Sequence, residues 1–201
     1  MKKIIYSAIA IMVLASCATT ANIENSWRDN ETSINMSQLN KVLVVALFKN
    51  DVNRRAAESQ LAGMLKGKGI TSYTYLPGGL NGKTEAQVKQ QLRNDGFDGA
   101  IVMRLADVEK EINYVQGSYP AYYGRFWPYF SGAWNAYYQP GRFETTKKFT
   151  IETNVYSLRK DKLVWSGLTS SVDPTSTEKL MKAVGREVYQ RMHKDGFLVN
   201  N

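Results

Sequence analysis

Lys41-Val-Leu-Val-Val-Ala-Leu-Phe48 is the stretch that decides the fold. A strand with one wet face alternates apolar and polar residues, whereas this run is apolar throughout and of strand length, as expected for a strand covered on both faces. It is the expected central strand. Just after it, Asn50 or Asp51 can cap a helix whose apolar positions Ala57, Leu61, Met64 and Leu65 recur every three or four residues, until Gly67 and Gly69 end it. Ile70 to Leu76 reads as a second strand. A second helix follows from about Thr84 to Asp95, with Thr84 and Gln87 at capping-box spacing and Val88 and Leu92 on one face. Ala100 to Leu105 reads as a third strand, and Val108, Ile112 and Tyr114 hint that the chain stays extended beyond it. Strand and helix in alternation imply crossover connections and a partly parallel sheet.

The C-terminal part changes pattern. Phe143 to Leu158 alternates around Phe149, Ile151, Thr153 and Val155, residues 159–162 turn the chain, and Leu163 to Val172 returns as an antiparallel hairpin. Asp173-Pro174 closes the hairpin, and Thr175 with Glu178 opens a last helix to about Lys194 that offers Leu180, Met181, Val184, Val188 and Met192 to the core. Asn94-Asp95-Gly96-Phe97 and Lys194-Asp195-Gly196-Phe197 are matching helix stops, in which Gly takes the left-handed conformation and Phe packs back on the last turn. The expected fold class is α/β: a single domain of two or three layers, with a mixed, roughly five-stranded sheet ordered β-α-β-α-β, then the hairpin and a C-terminal helix. At 201 residues the chain is long enough for one sizeable core and too short for two.

The first residues give an address. Lys2 and Lys3 precede an apolar run from Ile4 to Leu14 broken only by Ser7, which at ~1.5 Å per residue spans about half of a bilayer core and so reads as a signal peptide, not a permanent span. Leu14-Ala15-Ser16-Cys17 resembles the lipobox of bacterial lipoproteins, in which the cysteine sulfur is diacylglycerylated and the peptide is cut just before it. The chain's one cysteine stands at that position. The expected organisation is therefore a signal peptide at 1–16, a lipidated N-terminus and tether at 17–38, and an α/β domain at 39–201 with an aromatic insertion at 114–143. The resemblance implies membrane attachment through a lipid anchor at Cys17, in the cell envelope. Ala18, in place of the Asp that favours inner-membrane retention, leans toward the outer membrane facing the periplasm.

Chemistry is sparse. One Cys and one His exclude an internal disulfide and leave too few ligands for an ordinary zinc or Cys/His site. Beyond residue 16 there are 24 Lys and Arg against 18 Asp and Glu, a scattered net charge of +6. Pro77-Gly-Gly-Leu-Asn-Gly82-Lys83-Thr84 misses the phosphate-loop pattern, because Pro77 stands where the backbone has to bend around phosphate. Ser176-Thr-Glu-Lys179 matches the Ser-x-x-Lys of penicillin-binding enzymes but lacks their partner motifs. His193, Arg54, Arg55 and the row Asp107, Glu109 and Glu111 read as solvated or packed side chains. No cofactor is expected, and the expected role is non-enzymatic.

Residues 114–143 stand out, with twelve of the 23 aromatic residues and only Arg125 and Arg142 as charges. Gly and Pro are spread through this segment, so it reads as a long loop. Tyr122, Tyr123, Arg125, Phe126, Trp127, Tyr129, Phe130, Trp134, Tyr137 and Tyr138 are the candidate partner-binding residues, because Tyr, Trp and Arg anchor interfaces. Three uses fit: a cover for the domain's own sheet, a contact for an envelope protein partner, or a seat for a glycan or lipid headgroups. The exported address argues against nucleic acid. The second functional class is a glycan- or peptidoglycan-binding protein or a hydrolytic envelope enzyme.

Ser26-Trp27-Arg28-Asp29, Lys41-Val-Leu-Val-Val, Asp95-Gly96-Phe97-Asp98-Gly99-Ala100, the Tyr/Gly-rich insertion, Glu152-Thr-Asn-Val-Tyr156 and Leu163-Val-Trp-Ser-Gly167 together resemble a family of uncharacterised bacterial lipoproteins. More remotely, the strand-helix order is similar to the periplasmic domains of the curli-secretion lipoprotein and of lipoproteins that activate penicillin-binding proteins. The resemblance implies an accessory envelope role.

Overall fold

The computed structural model describes residues 19–79, 82–115, 126–128, 130 and 142–199. The elements run β1 (Asn22–Arg28), β2 (Ile34–Asn35), a 3-10 turn (Met36–Gln38), β3 (Lys41–Leu47), α1 (Asp51–Met64), β4 (Gly69–Thr71) and α2 (Ser72–Tyr75). There follow α3 (Glu85–Asn94), β5 (Phe97–Val115), β6 (Arg142–Ser157), β7 (Lys162–Val172), α4 (Thr177–Lys194) and β8 (Leu198–Val199). Six strands make one mixed sheet in the order β1-β7-β6-β5-β3-β4, and β2 pairs with β8 in a short parallel ladder. The fold is α/β, as the alternation of strands and helices implies.

The apolar run at 41–48 is covered on both faces. Val44 and Ala46 of β3 belong to the core under α1 and α4, with Ala57, Leu61, Met181 and Val184. Leu43, with Val45 packed beside it, joins a second core under α3 with Val88, Leu92 and Phe97. The domain thus has three layers, with β3 parallel to β4 on one side and to β5 on the other. The β6–β7 hairpin adds antiparallel strands beyond β5. A register shift in this hairpin pairs Val155 with Trp165 and Tyr156 with Leu163, leaving Val164 as the extra residue, and both Val164 and Trp165 are fully buried.

Local signals act as their chemistry dictates. Asn50 caps α1 by accepting from Asn53 N. Thr84 and Gln87 form a reciprocal capping box on α3. Gly96 and Gly196 both take positive φ, +77° and +70°, and the phenylalanines that follow are buried.

Three elements differ from the sequence reading. The sheet has six strands, not about five, because Asn22–Arg28, inside the segment read as tether, forms β1 along the edge of β7. Its residues are too polar to signal a strand, and its place comes from backbone pairing, from Ile23 packed on the core and from Ser26 Oγ donating to Asp195 Oδ2 at 2.9 Å. The strand expected at 70–76 stops at Thr71, because the buried Glu58 carboxylate accepts from Ser72 Oγ (2.7 Å) and Tyr73 N (3.0 Å) and curls the chain into α2. The cap of α4 is Ser176, accepting from Lys179 N at 3.2 Å, not a Thr175–Glu178 box.

Candidate functional site

β5 and β6 outrun the rest of the sheet. Pairing of β5 with β3 ends at Arg104, and pairing of β6 with β7 ends at Lys148. From Lys110↔Lys147 to Val115↔Arg142 no third strand pairs with them, a ribbon of six residue pairs whose base is tied to Asp173, which donates its N–H to Lys147 O at 2.9 Å and accepts from Lys147 N at 2.8 Å. At about 3.3 Å per residue it reaches roughly 20 Å beyond the domain. Ile112, Tyr114 and Phe143 on it are exposed, and the Tyr114 and Phe143 rings, directly opposite in register, meet at 5.3 Å between centroids. Of the candidate partner-binding residues, Phe126, Trp127 and Phe130 lie in helical conformation in the segment the ribbon carries. Phe126 stacks on Phe130 at 5.5 Å, and Trp127 meets the pair edge-on at 5.1 and 6.3 Å. All three stay exposed, Trp127 at 73%. Cys17, Tyr122, Tyr123, Arg125, Tyr129, Trp134, Tyr137 and Tyr138 lie outside the described residues.

The other sequence candidates turn out to serve structure. Asp51 takes Arg54 and Arg55 in ion pairs, each at 2.7 Å, which relieves two cations at the positive end of α1. Those guanidinium groups also hold the Asp51 carboxyl below its ordinary pKa. Ser176 Oγ is engaged as the α4 cap, so the Ser-x-x-Lys spacing is a helix start. His193 packs edge-on against Tyr189 at 4.6 Å. Glu109 lies 3.8 Å from Lys148, which also bonds Glu24 at 2.9 Å, so the carboxylate row on β5 meets a cation. The hydrogen bond to Glu24, with the charge of Glu109 beside it, raises the Lys148 pKa. Among the described residues no group of three or more His, Cys, Asp or Glu could hold a metal ion.

The motifs that carry the family resemblance are structural knots. Asp29 of the Ser-Trp-Arg-Asp stretch accepts from Lys162 at 2.6 Å and from Thr32, which pull its carboxyl down to about 2. Asp98 is buried against Arg159 and the Asn40 amide. In the Val-Trp-Ser-Gly stretch the Trp165 ring lies across Gly167, so near that an added Cβ would meet Cη2 at 2.2 Å.

Two features went unread in the sequence. Glu58 is fully buried and accepts from three donors, Ala46 N at 3.1 Å in addition to Ser72 and Tyr73. The signal was present: Glu58 sits three residues before Leu61, on the apolar stripe of α1. The other is a cavity of about 1050 Å³ between the sheet and the helix pair α1 and α4. Met103 of β5, Thr153 and Val155 of β6, Leu61 of α1, and Val188 and Met192 of α4 line it.

Comparison with known proteins gives likeness to solved structures only. No family model and no curated protein matches the chain. It is similar to the PelC dodecamer from Paraburkholderia phytofirmans at 10% identity and a TM-score of 0.45, over 84% of this chain and 95% of that one. It is also similar to lipoprotein GNA1162 from Neisseria meningitidis, at 10% identity and a TM-score of 0.38, over 77% of this chain and 98% of that one. A PDZ domain protein from Parabacteroides distasonis aligns at 10% identity and a TM-score of 0.31, over 94% of this chain and 39% of that one.

Proposed function

We propose that this is a non-enzymatic cell-envelope protein, tethered to a membrane by lipid at Cys17, which uses its aromatic arm to hold an envelope protein partner. The observation that carries the reading is the arm: a two-strand ribbon projecting roughly 20 Å, with exposed rings at Tyr114, Phe143, Phe126, Trp127 and Phe130. Exposed aromatic clusters of this kind are uncommon unless something covers them. Their edge-on and stacked geometry gives a partner both ring faces and ring edges. The lipobox-like tetrad supports the tether. Among the described residues no helix is long and apolar enough to cross a membrane. Two or three acyl chains hold stably at a bilayer where one does not. The finer placement, an outer membrane with the domain in the periplasm, rests on Ala18 alone.

The test crosslinks the native protein in cells and compares it, at equal abundance, with Phe126→Ala/Trp127→Ala/Phe130→Ala. Loss of captured protein from the variant is expected. Equal capture refutes the contact role, and loss of binding to purified cell-wall sugars alone would move the arm to the glycan reading. A Cys17→Ser protein is expected to leave the membrane fraction; one that sediments as before removes the tether.

A further inference from the structure

We infer that the cavity beneath α4 is a binding site for a long acyl chain ending in an anionic head group. This inference is independent of the aromatic arm. The cavity, at about 1050 Å³, is just above the range of roughly 300–1,000 Å³ in which small-molecule sites fall. Its depth is apolar and adaptable, with Met64, Met103 and Met192 among its walls, side chains that re-pack around irregular guests.

Its rim is basic. Lys66, Lys179, Lys182 and Arg186 all line the cavity and all are exposed, so they stand at its mouth, and none is in an ion pair among the described residues. Lys179, Lys182 and Arg186 follow one another at three and four residues on α4, which aligns them along one side of the helix over about 10 Å. The acidic groups at the rim are fewer, and one of them, Asp98, is neutralised by Arg159. Apolar depth with an uncompensated cationic mouth suits an amphiphile whose head is negative, and disfavours a neutral or cationic one.

A second observation comes from inside. Thr153 is 1% exposed and lines the cavity, and its Oγ1 has no hydrogen-bond partner among the described residues. A buried hydroxyl in that state is costly. A guest with a polar group along or at the base of its chain satisfies it.

The experiment uses the full chain in vesicles of neutral phosphatidylcholine. Photoactivatable palmitate is the probe, and its labelled peptides are mapped by mass spectrometry. Lysophosphatidylglycerol competes in one arm, to separate a lipid head group from a free carboxylate, and monoacylglycerol competes in another as the neutral control. The expected result is labelling at Leu61, Met103, Val155 and Met192, at least tenfold reduced by Lys182→Glu/Arg186→Glu, whose exposed sites leave folding intact. Both anionic amphiphiles should compete and monoacylglycerol should not. Each methylene removed from the probe should weaken binding about fourfold until the chain no longer reaches the interior. Thr153→Val, which removes the unpartnered hydroxyl at nearly the same size, should weaken a hydroxylated chain more than a plain one. Labels spread over the surface, equal competition by monoacylglycerol, or no effect of the charge reversal would each overturn the inference. So would labelling that arises only after Cys17→Ser, which would make the chain's own anchor the occupant.

Discussion

Replacing Glu58 tests the reading of how α1, β3 and α2 are held together. The carboxylate is fully buried, with Oε1 accepting from Ala46 N and Ser72 Oγ and Oε2 accepting from Tyr73 N. In Glu58→Gln the remaining carbonyl can keep Ala46 and Ser72, but the amide then turns an NH2 toward Tyr73 N–H, donor against donor. One buried backbone N–H is orphaned, at a cost of about 1–3 kcal/mol. Glu58→Ala orphans all three donors, at about 1–3 kcal/mol each, and opens a void, so it costs about 3 kcal/mol at the least. A domain of this size has about 5–15 kcal/mol in total, so the alanine variant stands near the edge of folding. In thermal unfolding the glutamine variant should fall by about 2–4 °C per kcal/mol lost. Urea unfolding followed by circular dichroism gives the free energies, and a Ser72→Ala cycle should show coupling to Glu58 because the two share a bond. If Glu58→Gln is as stable as the parent, or Glu58→Ala costs no more than Glu58→Gln, the network does not hold these elements.

Four further outcomes follow from particular contacts. Gly69→Ala would place its Cβ 2.6 Å from Ala62 Cα and 2.7 Å from Ala62 O, backbone that cannot yield. It should cost about 1–3 kcal/mol in urea unfolding. Gly63→Ala, on the open face of α1 with nothing within 4 Å, should gain about 0.5–1 kcal/mol. At low pH, Asp29 has its pKa depressed to about 2 by Lys162 and Thr32, so its contribution is present above the unfolded carboxylate range and is lost as pH falls through 2. Asp29→Asn should therefore lie below the parent in stability at pH 7 and converge with it toward pH 2; a gap that does not narrow contradicts the assignment. At the other end, burial and the Asp95 contact push Tyr75 up to about 12, so Tyr75→Phe should lose less stability than the parent as pH climbs from 10 to 12.

What the sequence disclosed depended on whether the signal was local. Asn50, Thr84 with Gln87, and the two Asp-Gly-Phe stops satisfy backbone groups within a few residues, and they are read from spacing alone. The both-faces-buried run at β3 is likewise legible, because a strand between two helical layers needs no polar positions. β1 was hidden because its cohesion is backbone pairing with β7, to which Asn22, Asn25 and Ser26 are indifferent in type. The end of β4 is not legible from spacing, because the residue that ends it, Glu58, acts from another element. The cavity could not be read, since it is a volume left among Met64, Met103, Ala183 and Met192 once helices and sheet are in place. For the candidate contact site, composition located the aromatic segment, but the ribbon that carries it required the register of β5 against β6.

That ribbon is energetically exposed, which bears on what the rings do. Ordering a residue's backbone costs about 1–2 kcal/mol, and an isolated two-stranded ribbon is marginal in water. Beyond Lys147, which Asp173 still holds through two hydrogen bonds, neither strand has a third neighbour, and Lys110 stands directly opposite Lys147, an unfavourable like-charge pair. The Tyr114–Phe143 pair returns only about 0.2–1 kcal/mol by cross-strand contact. The free edges are also poor templates for a further strand, because Glu109, Lys110, Glu111, Arg142, Glu144 and Lys147 line them with charge. Recognition through added strands is therefore disfavoured, and the rings carry the contact. It follows that Tyr114→Ala/Phe143→Ala should speed amide exchange along 110–115 and 142–147 in the free protein while leaving β3 protected. Bound partner should slow exchange there again in the parent.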